Sequence, residues 1–272
     1  EFADLALAHH VDDARERARA QRVGVFLGRP AADRPVLARA AVAFADPIKR
    51  FLLLCGLTEA QLWGDEKEKE FEWEGASENS TAFAEAFEEA LNGWKSLDEI
   101  YEYIDFKAWL KLIPARTTGR HLMQVFGTEC VRSWNPDFWC DYGHHVADTL
   151  LTGGFGVYYE RTKGMLVTGD PLVKPANGAN SPVNLVCLTD GRFRNEVLKT
   201  NQRGGLCVQI ERSDAQAGLS AEAKRHVSET QMGSIPPSWF GARIKNDSTL
   251  EQFKDRLVLH VCSRLDAWMH PW

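Results

Sequence analysis

The sequence predicts an α/β layered fold with a mainly parallel sheet, and three features predict it. Asn184–Asp190 (NLVCLTD) and Leu206–Arg212 (LCVQIER) are continuous apolar runs ending in charge, the pattern of strands buried on both faces of a parallel sheet. Between them FRNEVLKTNQRGG has the length and closing glycine pair of a crossover helix, so 184–212 reads as a βαβ unit. Elsewhere short apolar strands alternate with amphipathic helical stretches, which places the chain in the α/β class.

Taken in order, Glu1 to Gln21 reads as a helix, apolar first and then charged (DDARERARAQ), and Val23–Gly28 (VGVFLG) as a short strand before the breaker-rich GRPAADRP. An apolar stretch from Val42 leads to Ala45-Asp46-Pro47. A helix starts near Pro47, a residue preorganised for a first helical turn, with Ile48, Phe51, Leu52 and Cys55 as its apolar stripe. From 65 to 115 the composition turns acidic and aromatic (DEKEKEFEWEG, AFAEAFEEALNGW, LDEIYEYIDFKAWLKLI), which reads as an insertion of helices with a solvated face. Thr118 is placed to cap a helix carrying Leu122, Met123 and Val125, and another helix follows Asn135-Pro136 through Trp139, His145, Val146 and Leu150. A hairpin and loop insertion occupies 153–182, turning at Lys163-Gly164 before the loop PLVKPANGANSP. The last helix carries Leu250, Phe253, Leu257, Val258, Val261 and Leu265 on one face, with Asp247 or Ser248 as its cap.

A chain of 272 residues, 44% hydrophobic and 10% aromatic, has ample material for a packed core and reads as one large domain with insertions. A net charge of -6 argues against a broad nucleic-acid-binding face, and a small anion is the better partner. Six cysteines lack CxxC spacing, and Cys187 and Cys207 lie in apolar runs where a reduced thiol packs as a small hydrophobe, which fits a reducing cytoplasm. No run of about 18 apolar residues spans a bilayer. His9-His10 and His144-His145 are adjacent pairs whose side chains leave a helix about 100° apart, so no metal site is assigned to them.

Two segments carry a resemblance. TTGRHLMQVFGTECVR (Thr117–Arg132) followed by LTDGRFRNE (Leu188–Glu196) resembles, in order and spacing, the phage-type deoxynucleoside monophosphate kinases. FADPIK (Phe44–Lys49), RHVSE (Arg225–Glu229) and KNDSTLEQF (Lys245–Phe253) extend the likeness over most of the chain. The resemblance implies a P-loop-kinase-like three-layer fold, ATP and Mg²⁺ as cofactors, and a deoxynucleoside monophosphate as acceptor. It also implies a cytoplasmic location (the host cytoplasm for a viral chain), no polymer or membrane partner, and an oligomeric state left open, a homodimer among the options.

Phosphoryl transfer needs phosphates held in line and positive groups on the migrating charge rather than covalent help. In LTDGRFRNE, Asp190 stands where a buried strand leaves the sheet, the edge at which open α/β sheets bind ligands. The resemblance maps Asp190, Arg192, Asn195 and Glu196 onto a DxRxxNE-like signature with Arg192 gripping phosphate. Arg120, Gln124 and Thr128 fall at four-residue intervals, on one face if the helix persists that far. Arginine takes a monophosphate bidentately and glutamine can read a base edge; by resemblance Arg120 and Arg132 serve the acceptor phosphate. Asp46 and Lys49 follow an apolar run, and the resemblance implies a strand-to-helix turn near the acceptor there; helix-surface exposure is the alternative for Lys49. Arg212 and Arg225 belong to a lid-like segment, 212–229, that would supply cations to the transferring group. Lys245, Asn246 and Asp247 resemble a turn near the donor adenine, or form a helix cap.

A phosphate-wrapping GxxxxGK[ST] loop is absent from these 272 residues. Counting from Gly28, its second glycine is replaced by Asp33, its lysine by Arg34 and its hydroxyl by Pro35. EFADLALA resembles the helix that follows this loop in the family, which leads to the expectation that the loop lies upstream of Glu1. The expected function is therefore nucleotide kinase; the alternatives are a catalytically inactive, regulatory or virion-associated nucleotide-binding protein, and a kinase of another acceptor such as dephospho-coenzyme A.

Overall fold

The computed structural model describes residues 22–28, 39–64, 67–73, 80–114, 116–152, 159–162, 165–168, 185–211, 231–262 and 264. The chain divides into two compact units: a sheet unit, Glu1–Phe44 with Gly143–Trp272, and a helical unit, Ala45–Tyr142. The helical unit takes in more than the stretch 65–115 expected as an insertion. The helix expected over Glu1 to Gln21, the loop PLVKPANGANSP and the lid-like segment lie outside the described residues.

Along the chain run β1 (Arg22–Gly28), β2 (Arg39–Ala43), α1 (Asp46–Leu54), α2 (Glu59–Trp63), β3 (Glu72–Trp73), α3 (Ser80–Ala90), α4 (Leu97–Tyr103) and α5 (Phe106–Leu112). Then come β4 (Thr117–Thr118), α6 (Gly119–Gln124) continued by a π-helical segment (Val125–Arg132), α7 (Phe138–Leu151), and β5 and β6 (Tyr159–Thr162, Met165–Thr168). β7 (Leu185–Gly191), α8 (Arg194–Gln202), β8 (Leu206–Glu211), β9 (Ala242–Lys245) and α9 (Leu250–Leu257) complete the sequence of helices and strands, with a second π segment at Val258–Cys262. The chain is of the mixed α/β class, as expected.

The sheet unit is built on five strands in the order β2-β7-β1-β8-β9. β2 runs parallel to β7 and β9 parallel to β8, while β1 lies antiparallel to both β7 and β8. Four strands therefore point one way, and the central one points the other. β7 and β8 run in the same direction around α8, as the βαβ pattern predicts, but β1 is interposed between them. β7 explains its own apolar composition: Leu185, Val186, Cys187, Leu188 and Thr189 are all buried. The hairpin pairs Thr162 with Met165 across the predicted turn. α7, whose residues pass from one unit to the other at Tyr142–Gly143, presents His144 in the sheet unit, buried, with Nε2 3.1 Å from Thr200 Oγ1 and its ring edge-on to Phe44. His145 is exposed, so the two histidines diverge as their spacing requires.

The helical unit has an aromatic core. Phe51 is fully buried, with Phe126 at 4.3 Å, Phe87 at 5.4 Å and Trp109 at 5.8 Å between ring centroids. Tilted and edge-to-face geometries dominate here, as the ring quadrupoles favour. Local signals place the helices around it. Pro47 stands in the first turn of α1; Thr58 with Gln61 and Ser96 with Glu99 form reciprocal capping boxes; Asp105 and Thr118 accept from the backbone N–H of Ala108 and His121. The expected cap of the last helix is corrected: Thr249 Oγ1, not Asp247 or Ser248, accepts from Gln252 N–H. Asp247 is instead drawn into an ion pair with Arg256.

Replacing Phe51 by alanine opens a void among four rings and is expected to cost ~3–5 kcal/mol, read as a lowered midpoint in chemical denaturation. Burial pushes the Cys187 and Cys207 thiols up to about 12 from the ordinary 9.0. Since the folded state favours the neutral thiol, their contribution to stability is whole below pH 9.0 and is lost as pH rises towards 12. Both thiols should resist a thiol reagent at pH 8 until the chain unfolds.

Candidate functional site

At the carboxyl end of β7 the chain turns sharply. Asp190 has φ 61°, a left-handed conformation that aspartate tolerates better than most residues. The turn folds round the buried carboxylate of Glu196, whose Oε2 accepts from the backbone N–H of Arg192 at 2.7 Å and of Phe193 at 2.9 Å. Glu196 thus serves the backbone of the turn that carries Asp190 and Arg192, and it also opens α8. Arg192 and Asn195 are half-buried beside it. Arg194 is drawn off: its guanidinium lies 4.9 Å from the centre of the Trp239 ring, and Trp239 O accepts from Asn201 Nδ2.

β2, β7, β8 and β9 all end at this edge of the sheet, so Lys245, the last residue of β9, and Asn246 and Asp247 after it stand on the same edge as Asp190. Asn246 N–H donates to Glu211 O at 2.7 Å and so prolongs the β8–β9 pairing. Arg256 of α9 donates to Lys245 O and to Asp247 Oδ1, and this hydrogen bond holds the Asp247 carboxyl below its ordinary range. Arg243 on β9 reaches Gln209 and Glu211 of β8.

In the helical unit, Asp46 is buried and Lys49 half-buried on α1, with Lys49 Nζ 5.4 Å from the centre of the Trp63 ring. On α6, Arg120 Nε pairs with Glu70 Oε1 at 2.7 Å, which aims the guanidinium from one side. Gln124 and Thr128 are half-buried. The helix does persist to Thr128, but from Val125 it is π-helical. Its i→i+5 bonding alters the four-residue phase assumed for Thr128, and such segments are frequent at functional sites. Gly127 of this segment lies against Ile48, so the element bearing Thr128 and Arg132 packs on the one bearing Asp46 and Lys49. The six acceptor residues read from the sequence therefore come from two neighbouring stretches of one unit. Gly119 has a steric reason to be glycine: a Cβ there would lie 2.5 Å from Gln61 O. Gln61 in turn donates to Phe71 O and Glu72 O and so holds β3, which pairs with β4.

Arg212 and Arg225 lie outside the described residues. Among the described residues no three His, Cys, Asp or Glu side chains converge as a metal cage. No helix there is long and apolar enough to cross a membrane. Glu70, Trp63 and Arg256, which orient Arg120, Lys49 and Asp247, went unread in the sequence because each lies in a charged or aromatic run that singles out no one member. Comparison with protein-family models, curated proteins and solved structures finds no significant match to this chain.

Gly119→Ala should displace α6 from Gln61 O and lower stability by ~1–3 kcal/mol, while an alanine at exposed Gly233, which has open space around it, should shift the denaturation midpoint little.

Proposed function

We propose that this protein is a nucleotide kinase with a P-loop-kinase-like three-layer fold, transferring the γ-phosphoryl group of ATP to a deoxynucleoside monophosphate for DNA precursor synthesis. The observation that carries the reading is the turn at the carboxyl end of β7, where Asp190 is left-handed and Glu196 holds the backbone N–H groups of Arg192 and Phe193, at the edge to which four strands point. Ligands of open α/β sheets bind at that edge, and the same turn lies in one of the two linked segments that resemble the phage-type kinases.

The roles follow from chemistry. Arg192 would neutralise charge on the migrating phosphoryl group; Arg120 and Arg132 would grip the acceptor phosphate, Arg120 being already oriented by Glu70. Asp190 supplies a carboxylate, enough for a Mg²⁺ that arrives on ATP and is held chiefly by phosphates. Gln124 is offered to a base edge. Lys245, Asn246 and Asp247 form an Arg256-braced turn suited to the donor nucleoside.

One observation favours a second reading, a catalytically inactive nucleotide-binding protein on the same fold: no GxxxxGK[ST] segment occurs in these 272 residues. A coupled assay of the full-length protein with ATP and each of the four deoxynucleoside monophosphates separates the two. On the kinase reading, diphosphate forms and Arg192→Ala lowers turnover roughly a thousandfold with little change in thermal unfolding. Losses under tenfold for each of Arg120, Arg132 and Arg192 would overturn it, and nucleotide binding without turnover would establish the second reading.

A further inference from the structure

We infer that Arg50 anchors an oxyanion site in the helical unit and takes the phosphate of a phosphate monoester, with Tyr142 beside it. For the identity of that monoester, the acceptor nucleotide, the inference rests on the kinase reading; for the site it rests on geometry.

Arg50 lies on α1, one residue after Lys49, and its neighbours Ile48, Phe51 and Leu52 are buried in the aromatic core. That packing fixes the face Arg50 occupies. Its Nη1 is buried and makes no hydrogen bond, and the guanidinium forms no ion pair among the described residues. A guanidinium keeps its charge at every working pH and has donors only, so nothing but an acceptor satisfies it. Buried donors in folded proteins nearly always find one.

The surroundings favour a phosphate over a smaller or neutral group. Arg50 and Asp46 both act electrostatically on Tyr142 of the same unit. Burial raises the Tyr142 phenol to about 12, with Arg50 pulling it down and Asp46 pushing it up. The phenol therefore stays protonated near neutral pH and can donate. A guanidinium fork and a phenol donor together match the several oxygens of a phosphate, which Arg takes bidentately. Asp46 disfavours excess anionic charge and makes the arginine necessary. α1 also packs on the π segment bearing Thr128 and Arg132, so the anchor lies on an element adjoining the proposed acceptor residues.

The test uses the full-length protein, wild type and with Arg50→Ala or Arg50→Lys, titrated calorimetrically with deoxynucleoside monophosphates, the matching deoxynucleosides and inorganic phosphate. Arg50→Ala should weaken monophosphate binding about 10- to 100-fold, the range of a hydrogen-bonded charge, and leave deoxynucleoside binding unchanged. Arg50→Lys should recover only part, since an ammonium cannot grip bidentately. Unchanged monophosphate binding in Arg50→Ala overturns the site and leaves the kinase reading standing. Arg50-dependent binding of inorganic phosphate without nucleotide binding supports the site and removes the nucleotide reading. Binding of neither anion by the wild type overturns the inference. Should Arg50→Ala fail to fold, arginine-selective modification of the wild type decides: phosphate should shield the Arg50 peptide, and equal labelling with and without phosphate overturns the site.

Discussion

The sheet unit depends on one constraint, that β7 has no polar face. Five consecutive residues from Leu185 to Thr189 are buried, so strands must flank β7 and side chains must cover both its faces. β2 and β1 supply the flanks, and the backbone ladder they make sets the level at which β7 emerges. The buried carboxylate of Glu196 then bends the emerging chain, and Asp190 enters a left-handed conformation that few residues accept. A candidate phosphoryl-handling turn is thus the direct continuation of a strand buried on both faces. Rigidity beneath the turn comes from dispersion and backbone hydrogen bonds, not from the charged groups the turn displays.

In the helical unit the same logic runs through aromatic rings. Phe51 and Phe126 meet at 4.3 Å and tie α1 to the π segment, and through that contact the backbone positions of Asp46, Lys49, Thr128 and Arg132 are set. Neighbours then orient the charged groups: Glu70 pairs with Arg120 and the Trp63 ring faces Lys49. These pairs are partly exposed and add little to stability, but they narrow the directions in which the cations point. Arg50 differs in kind, since a buried donor without an acceptor detracts from stability wherever it stands.

Local signals in the sequence were legible wherever a short-range mechanism produced them. Pro47 in a first turn, Thr118 as a cap, the Thr162–Met165 hairpin, the buried strands and the crossover helix α8 all follow from bonds made within a few residues. Where two short-range mechanisms compete, the sequence was ambiguous: Thr249 rather than Asp247 or Ser248 caps α9, while Arg256, in the second turn of the helix, claims the Asp247 carboxylate. The change from α to π hydrogen bonding at Val125 has no compositional mark, since it arises where the helix must seat Phe126 in the core and Gly127 against Ile48.

By itself the sequence determined the α/β class, the strands β1, β5, β6, β7 and β8, and helix starts such as those at Pro47 and Thr118, because hydrophobic period and capping chemistry act between near neighbours. It also determined which residue types were at hand for binding an anion. Tertiary structure alone decided that β1 runs against its neighbours and that the chain parts into a sheet unit and a helical unit. It likewise left Arg50 Nη1 buried without a hydrogen-bond partner. Those outcomes turn on pairings between residues tens of positions apart, such as Arg120 with Glu70 or Val25 with Leu188, and no periodicity along the chain encodes them.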